Sequence, residues 1–140
     1  MISNFKIPSI DTPIFSTTIE VRIQNINYGN HLGHDSLVSL LHEARVRFFR
    51  KIGYTELDIG GCGVMMKSLL INYMNQAFYS DQLSISLGVG EVSKVSFELV
   101  YQVMNHEKNK EIARAITLMV CYDARENKVV KIPQVFLSYL

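Results

Sequence analysis

Between Ser16 and Ile23 apolar and polar side chains alternate, with Ile19, Val21 and Ile23 on one side and Glu20 and Arg22 on the other. A period of two marks a strand buried on one face. The next stretch, Gln24 to His34, replaces that alternation with glycines, amides and imidazoles and predicts a turn-rich loop. From Asp35 to about Lys51 the apolar spacing becomes three and four, which predicts a helix stopped by Gly53. Its stripe is Leu37, Leu40, Leu41, Ala44, Phe48 and Ile52. Val38 and Phe49 widen it, and Ser39, Glu43 and Arg50 lie opposite. A helix so broadly apolar needs neighbours on more than one side. Asp35, just before it, reads as a capping carboxylate.

Beyond Gly60, Gly61 and Gly63 the pattern turns strand-rich. Val64 to Tyr73, Leu83 to Val89, Lys94 to Met104 and Glu111 to Tyr122 each have strand length and apolar content. In the third of these, Val95, Phe97, Leu99, Tyr101 and Val103 alternate with Lys94, Ser96, Glu98 and Gln102. Turns are expected at Ser80-Asp81 and across Asn105 to Asn109. Gly88 and Gly90 share a face, where missing side chains admit another element closely. Met65, Met66 and Met74, with Tyr73, read as core. Pro133 opens a short closing helix that returns Val135, Phe136 and Leu140 to the body. One wide-faced helix between a first strand and four long ones predicts a single α+β domain over residues 1–140. In it, an antiparallel sheet of about five strands wraps around the central helix.

Composition narrows the function classes. Of the 140 residues 48% are apolar and 19% charged, which places the chain among folded globular proteins rather than disordered ones. A net charge of +1 without a basic run carries no footprint for nucleic acid. No apolar stretch approaches the ~20 residues of a membrane helix. The segment Met1 to Phe15 lacks the pattern of a signal peptide, so a cytoplasmic location is expected. Cys62 and Cys121 have no metal-ligand spacing and read as reduced thiols; no metal or cofactor is called for.

Three segments carry a resemblance. Val21 to His34 reads Val-Arg-Ile-Gln-Asn-Ile-Asn-Tyr-Gly-Asn-His-Leu-Gly-His. It resembles Arg-x-x-Asp-x-Asp-x-x-Gly-His-Val-Asn-Asn, the opening motif of the 4-hydroxybenzoyl-CoA thioesterase family, in its spacing and in Arg22 and His31. The run His42-Glu43-Ala44-Arg45-Val46-Arg47-Phe48-Phe49 is similar to that family's Glu-x-Ala-Arg-x-x-Phe helix. Ser96-Phe97 with Tyr101, then Val120 to Asp123 and Val129 to Pro133, complete the likeness. The resemblance implies the hot-dog fold and the handling of acyl groups on coenzyme A or a carrier protein. It also implies a homodimer or homotetramer with sites between subunits.

The departures fall on the chemistry. The family's catalytic carboxylate, the second Asp of the motif, corresponds to Asn27, and the first Asp to Asn25. The motif glycine is Asn30, and its two asparagines are Gly33 and His34. An amide neither takes a proton nor forms an acyl anhydride. Asn27 therefore reads either as a residue that orients water or polarises the carbonyl, or as a turn residue. The resemblance puts the oxyanion contact on the backbone at His34, where the helix start leaves N–H groups free. A related hot-dog subgroup takes its carboxylate from the helix, which makes Glu43 a candidate. Its phase away from the apolar stripe, with Arg47 four residues on, favours an ion pair. His31 and His34 are the third candidate for the missing base, since an imidazole can take a proton; the resemblance favours loop support for His31, and His42 reads as a surface or interface residue. Substrate contacts are expected from Tyr28, His31, Met66 and Ser96. The reading is hydrolysis of acyl thioesters. Its alternatives are a hot-dog protein that binds acyl thioesters without turning them over, and, less well matched, a hydratase of the same fold.

Overall fold

The computed structural model describes residues 5–140. Strand β1 (Phe15–Glu20) leads through a short 3-10 turn (Ile23–Asn25) and a loop into helix α1 (His34–Lys51). There follow β2 (Gly63–Tyr73), β3 (Gln82–Val92), β4 (Ser96–Asn105), β5 (Lys110–Asp123), the two-residue β6 (Lys128–Val129) and the closing helix α2 (Gln134–Leu137). All strand pairs are antiparallel, in the order β1-β3-β4-β5-β2, with β6 on the end of β5. This is the hot-dog arrangement, with six strands where the pattern predicted about five.

The period of two works because successive side chains point to opposite faces of a sheet. Leu83, Ile85 and Leu87 of β3 and Phe97, Leu99, Tyr101 and Val103 of β4 are fully buried. On β5, Ala113, Ala115, Thr117, Met119 and Cys121 alternate in the same way. Small residues there leave room for α1, which buries Leu37, Leu40, Leu41, Ala44, Arg45, Phe48 and Phe49. Phe49 meets Phe136 edge-on at 5.6 Å, and Phe136 meets Phe97 at 5.4 Å, so α2 seals the far end of the core. Truncating a ring in such a cluster typically costs about 3–5 kcal/mol.

Several expectations shift. Ile23 is 70% exposed, because the chain leaves β1 at Glu20 and turns before the alternation can continue. Met65, Met66, Tyr73 and Met74 are exposed rather than core, because β2 pairs with β5 alone and lies at a sheet edge. Val135 also faces outward while Phe136 and Leu140 pack inward. Gly88 does admit a close neighbour: a Cβ there would lie 3.2 Å from Ile10 Cγ2. Gly90 instead faces Glu98, within the β3–β4 irregularity between Val89 and Val92.

Candidate active site

The loop before α1 is held by its own asparagines. Asn25 Oδ1 accepts the Arg22 N–H at 2.8 Å, closing the 3-10 turn. Asn27 Oδ1 accepts the N–H groups of Gly29 at 2.9 Å and His31 at 3.3 Å, and Asn27 N–H donates to His31 O at 2.9 Å. Both side chains thus serve as turn acceptors, a task an amide oxygen performs as a carboxylate would. Asn30 has φ 65°, in the left-handed region that asparagine tolerates better than most residues. That is how it stands in for the glycine of the motif. Leu32 N–H donates to Ala77 O at 2.8 Å and moors the loop to the segment between β2 and β3.

Gly33 is the N-cap of α1, and a glycine has no side chain with which to cap. Asp35 is the second residue of the helix, two positions past the N-cap, which corrects the capping expectation. Its carboxylate folds back so that Oδ1 lies 2.6 Å from where a Gly33 Cβ would stand. The N–H groups of His34, Asp35 and Ser36 consequently have no partner among the described residues. Three free donors at the positive end of an 18-residue helix form an anion-stabilising surface.

This surface borders a pocket of about 300 Å³. Asn27, His31, His34 and Leu37 line one side, and Tyr73, Ala77 and Ile112 the other. Tyr73 Oη donates to His34 O at 2.8 Å, so β2 holds the first turn of α1 from across the pocket. Burial, with the Asp35 carboxylate as a lesser cause, raises the Tyr73 hydroxyl above its ordinary value and keeps it a donor. His31 Nδ1 lies 3.1 Å from Leu32 O. A carbonyl only accepts, so Nδ1 carries a proton, and the neutral form of the ring has its lone pair on Nε2. That nitrogen has no partner among the described residues and lies against Gly29, whose Cβ would be 3.2 Å away.

The structure therefore brings together three of the residues singled out from sequence: Asn27, His31 and His34. Glu43 stands apart, in an exposed ion pair with Arg47 at 2.9 Å. Arg47 is further tied to Thr17 Oγ1 and Thr18 O. Tyr28 projects into solvent. Met66 lies farther along β2, in a second hollow. Ser96 bonds Ser93 Oγ at 2.7 Å in the β3–β4 turn, and its β5 neighbour is Val120, eight residues along β5 from Ile112 of the pocket. Within one copy it is at the other end of the sheet. Sequence reasoning passed over Ala77 as a pocket residue. It read Tyr73 with Met65, Met66 and Met74 as core, on a strand to which the resemblance gives part of the acyl pocket, and Tyr73 and Met74 are the ones that line this pocket.

The family model of the thioesterase-like superfamily matches residues 21–140. A curated Synechocystis protein, provisionally named an esterase, is 24% identical over 129 residues, covering 90% of this chain and 78% of its own. Among solved structures, the 1,4-dihydroxy-2-naphthoyl-CoA thioesterase of Synechocystis aligns with a TM-score of 0.81 at 20% identity, covering 89% of this chain and 93% of the other. The DHNA-CoA thioesterase of Staphylococcus aureus aligns at 0.78 and 21% identity, covering 89% and 84%. At such identities the solved structures speak for the fold.

Proposed function

This chain belongs to the thioesterase-like superfamily, and from that premise we propose that it hydrolyses acyl thioesters, of coenzyme A or a carrier protein, in the pocket before α1. The observation that carries the reading is the uncapped helix start. Attack of water on a thioester carbonyl places negative charge on the oxygen, and preorganised N–H donors at His34 to Ser36 stabilise that charge as it forms. Tyr73 keeps these donors in place by holding the carbonyl of the same turn.

Asn27 has the position of the usual carboxylate without its basicity. Its Oδ1 is engaged by the loop, which leaves Nδ2 to donate to water or to the carbonyl. The lone pair on His31 Nε2 is then the proton acceptor in the pocket, taking the proton of the attacking water while the thiol departs. The free edge of β2, 11 residues long and carrying Met65, Met66 and Tyr73, supports a homodimer or homotetramer that closes the pocket from the partner's side. A second reading, a binder without turnover, is favoured by Asn27 itself.

Release of free thiol from a panel of acyl-CoAs decides between them. Hydrolysis by the wild type with a ~10²-fold loss of kcat in His31→Gln is expected, the scale of a lost general base. Full turnover in that variant removes His31 from the mechanism. Tight acyl-CoA binding with no thiol released selects the binder.

A further inference from the structure

A second hollow, of about 240 Å³, lies along the same seam between α1 and β2, lined by Val38, Leu41, Met66 and Leu69 with Arg45 and Thr117. Arg45 is only 5% exposed, in the middle of a helix face that is otherwise apolar. Its Nε donates to Glu56 Oε2 at 3.3 Å and its Nη1 to Tyr101 Oη at 3.2 Å. Tyr101 Oη in turn shares a 2.9 Å hydrogen bond with Thr117 Oγ1. Nη2 has no partner among the described residues. Yet every fully buried side-chain nitrogen and oxygen among them is paired. Nη2 therefore meets open space, and the space that Arg45 lines is this hollow.

A buried guanidinium with one ion-pair partner adds little net stability over an apolar core. Glu56 already neutralises Arg45 and is itself held by His42 Nε2 at 2.6 Å. A carboxylate entering the hollow would face that Glu56 carboxylate, whereas an uncharged oxygen accepts from Nη2 without repulsion. Helix positions His34 and Leu41 to His42 are separated by about 12 Å along the axis. At roughly 1.3 Å of advance per bond in a zigzag chain, that span takes about ten chain atoms.

Resting on the thioesterase reading, we propose that this hollow receives the far end of the acyl chain and selects medium-length aliphatic groups ending in a hydroxyl or oxo oxygen, which Arg45 Nη2 and Thr117 recognise. Met66 and Leu69 supply the apolar wall of the hollow.

The test measures binding to the wild-type protein by calorimetry, using non-hydrolysable ketone analogues of decanoyl-CoA with and without a terminal hydroxyl. The hydroxylated analogue is expected to bind at least about ten-fold more tightly, the scale of one hydrogen bond to a charged group. Arg45→Met should bring the ratio of the two affinities to about one, and Thr117→Val should lower it. A purely structural Arg45 would weaken both analogues together. Equal affinities in the wild type, or a preference that survives in folded Arg45→Met, overturn the proposal. If Arg45→Met does not fold, Thr117→Val decides by the same ratio. A terminal carboxylate that binds more tightly than the hydroxyl overturns the choice of a neutral oxygen. Failure of the thioesterase reading shows separately, as absent thiol release from decanoyl-CoA and its hydroxylated form while the binding preference stands.

Discussion

Asn27 shows how one atom separates scaffold from chemistry. Its Oδ1 is committed to two backbone donors, and a carboxylate oxygen makes the same bonds. Asn27→Asp should therefore fold normally and present a new basic oxygen where Nδ2 stood. A rise in kcat of about ten-fold or more is expected, the lower range of a positioned base. An unchanged rate in a variant with normal substrate affinity would show that a carboxylate at this position has no water within reach. Glu43 gives the opposite case. With a side chain 51% exposed and paired to Arg47 on the solvent side of α1, it is expected to tolerate Glu43→Gln with under ~1 kcal/mol of stability lost and turnover retained. A large loss of turnover would return a catalytic role to the helix.

At the scale of elements, the segment before β1 is held against the sheet by Asn72, whose Oδ1 accepts the Ile7 N–H at 3.2 Å, and by a network around one carboxylate. Glu111 receives both nitrogens of the Arg114 fork, at 2.7 and 2.9 Å, and Gln102 Nε2 at 2.9 Å. Arg114 Nη1 then donates to Ile7 O, and Gln102 Oε1 accepts the Ile10 N–H. The hydrogen bond from Arg114 lowers the Glu111 carboxyl below its ordinary value. A carboxyl with a lowered folded-state value stabilises fully above its ordinary range, near 4.5, and loses that contribution as pH falls through the lowered value. Acidification is expected to lower the protection factors of the Ile7 and Ile10 amides, measured against the intrinsic exchange rate at each pH, before the sheet core responds. Glu111→Gln should remove that acid step. Simultaneous exchange of strap and core at every pH would show that the strap has no separate opening.

Considered as a whole, the molecule is asymmetric in how its edges are finished. The β1 edge bears Thr17 and Thr18, which Arg47 of α1 ties down. The β2 edge is left open, with Tyr73 and Met74 exposed beside the pocket and Met65 and Met66 exposed farther along the strand. Light scattering at micromolar concentration is expected to give at least a dimeric mass. A monomer that still releases thiol would mean that the pocket works without a second copy. Among the described residues no helix is long and apolar enough to cross a membrane, and no cluster of side chains is suited to a metal.

Much of this could be read along the chain, because strand and helix periods express local geometry. The alternation in β4, the wide apolar face of α1 ended at Gly53, and the opening motif with its two asparagines all lie within short windows. The cap was not legible: Asp35 read as the capping residue, and only the structure puts the N-cap at Gly33, which has no side chain to close the helix start. Which strand would end up at an edge was not legible, since β2 has the apolar content of a central strand and only the sheet order exposes it. Nor were the two contacts that shape the seam, Tyr73 with His34 across 39 residues and Arg45 with Tyr101 across 56. Periodicity assigns a side chain to a face of its own element. Which distant partner that face meets is decided by packing, and there the folded chain alone set the pocket, its donors and the buried guanidinium beyond it.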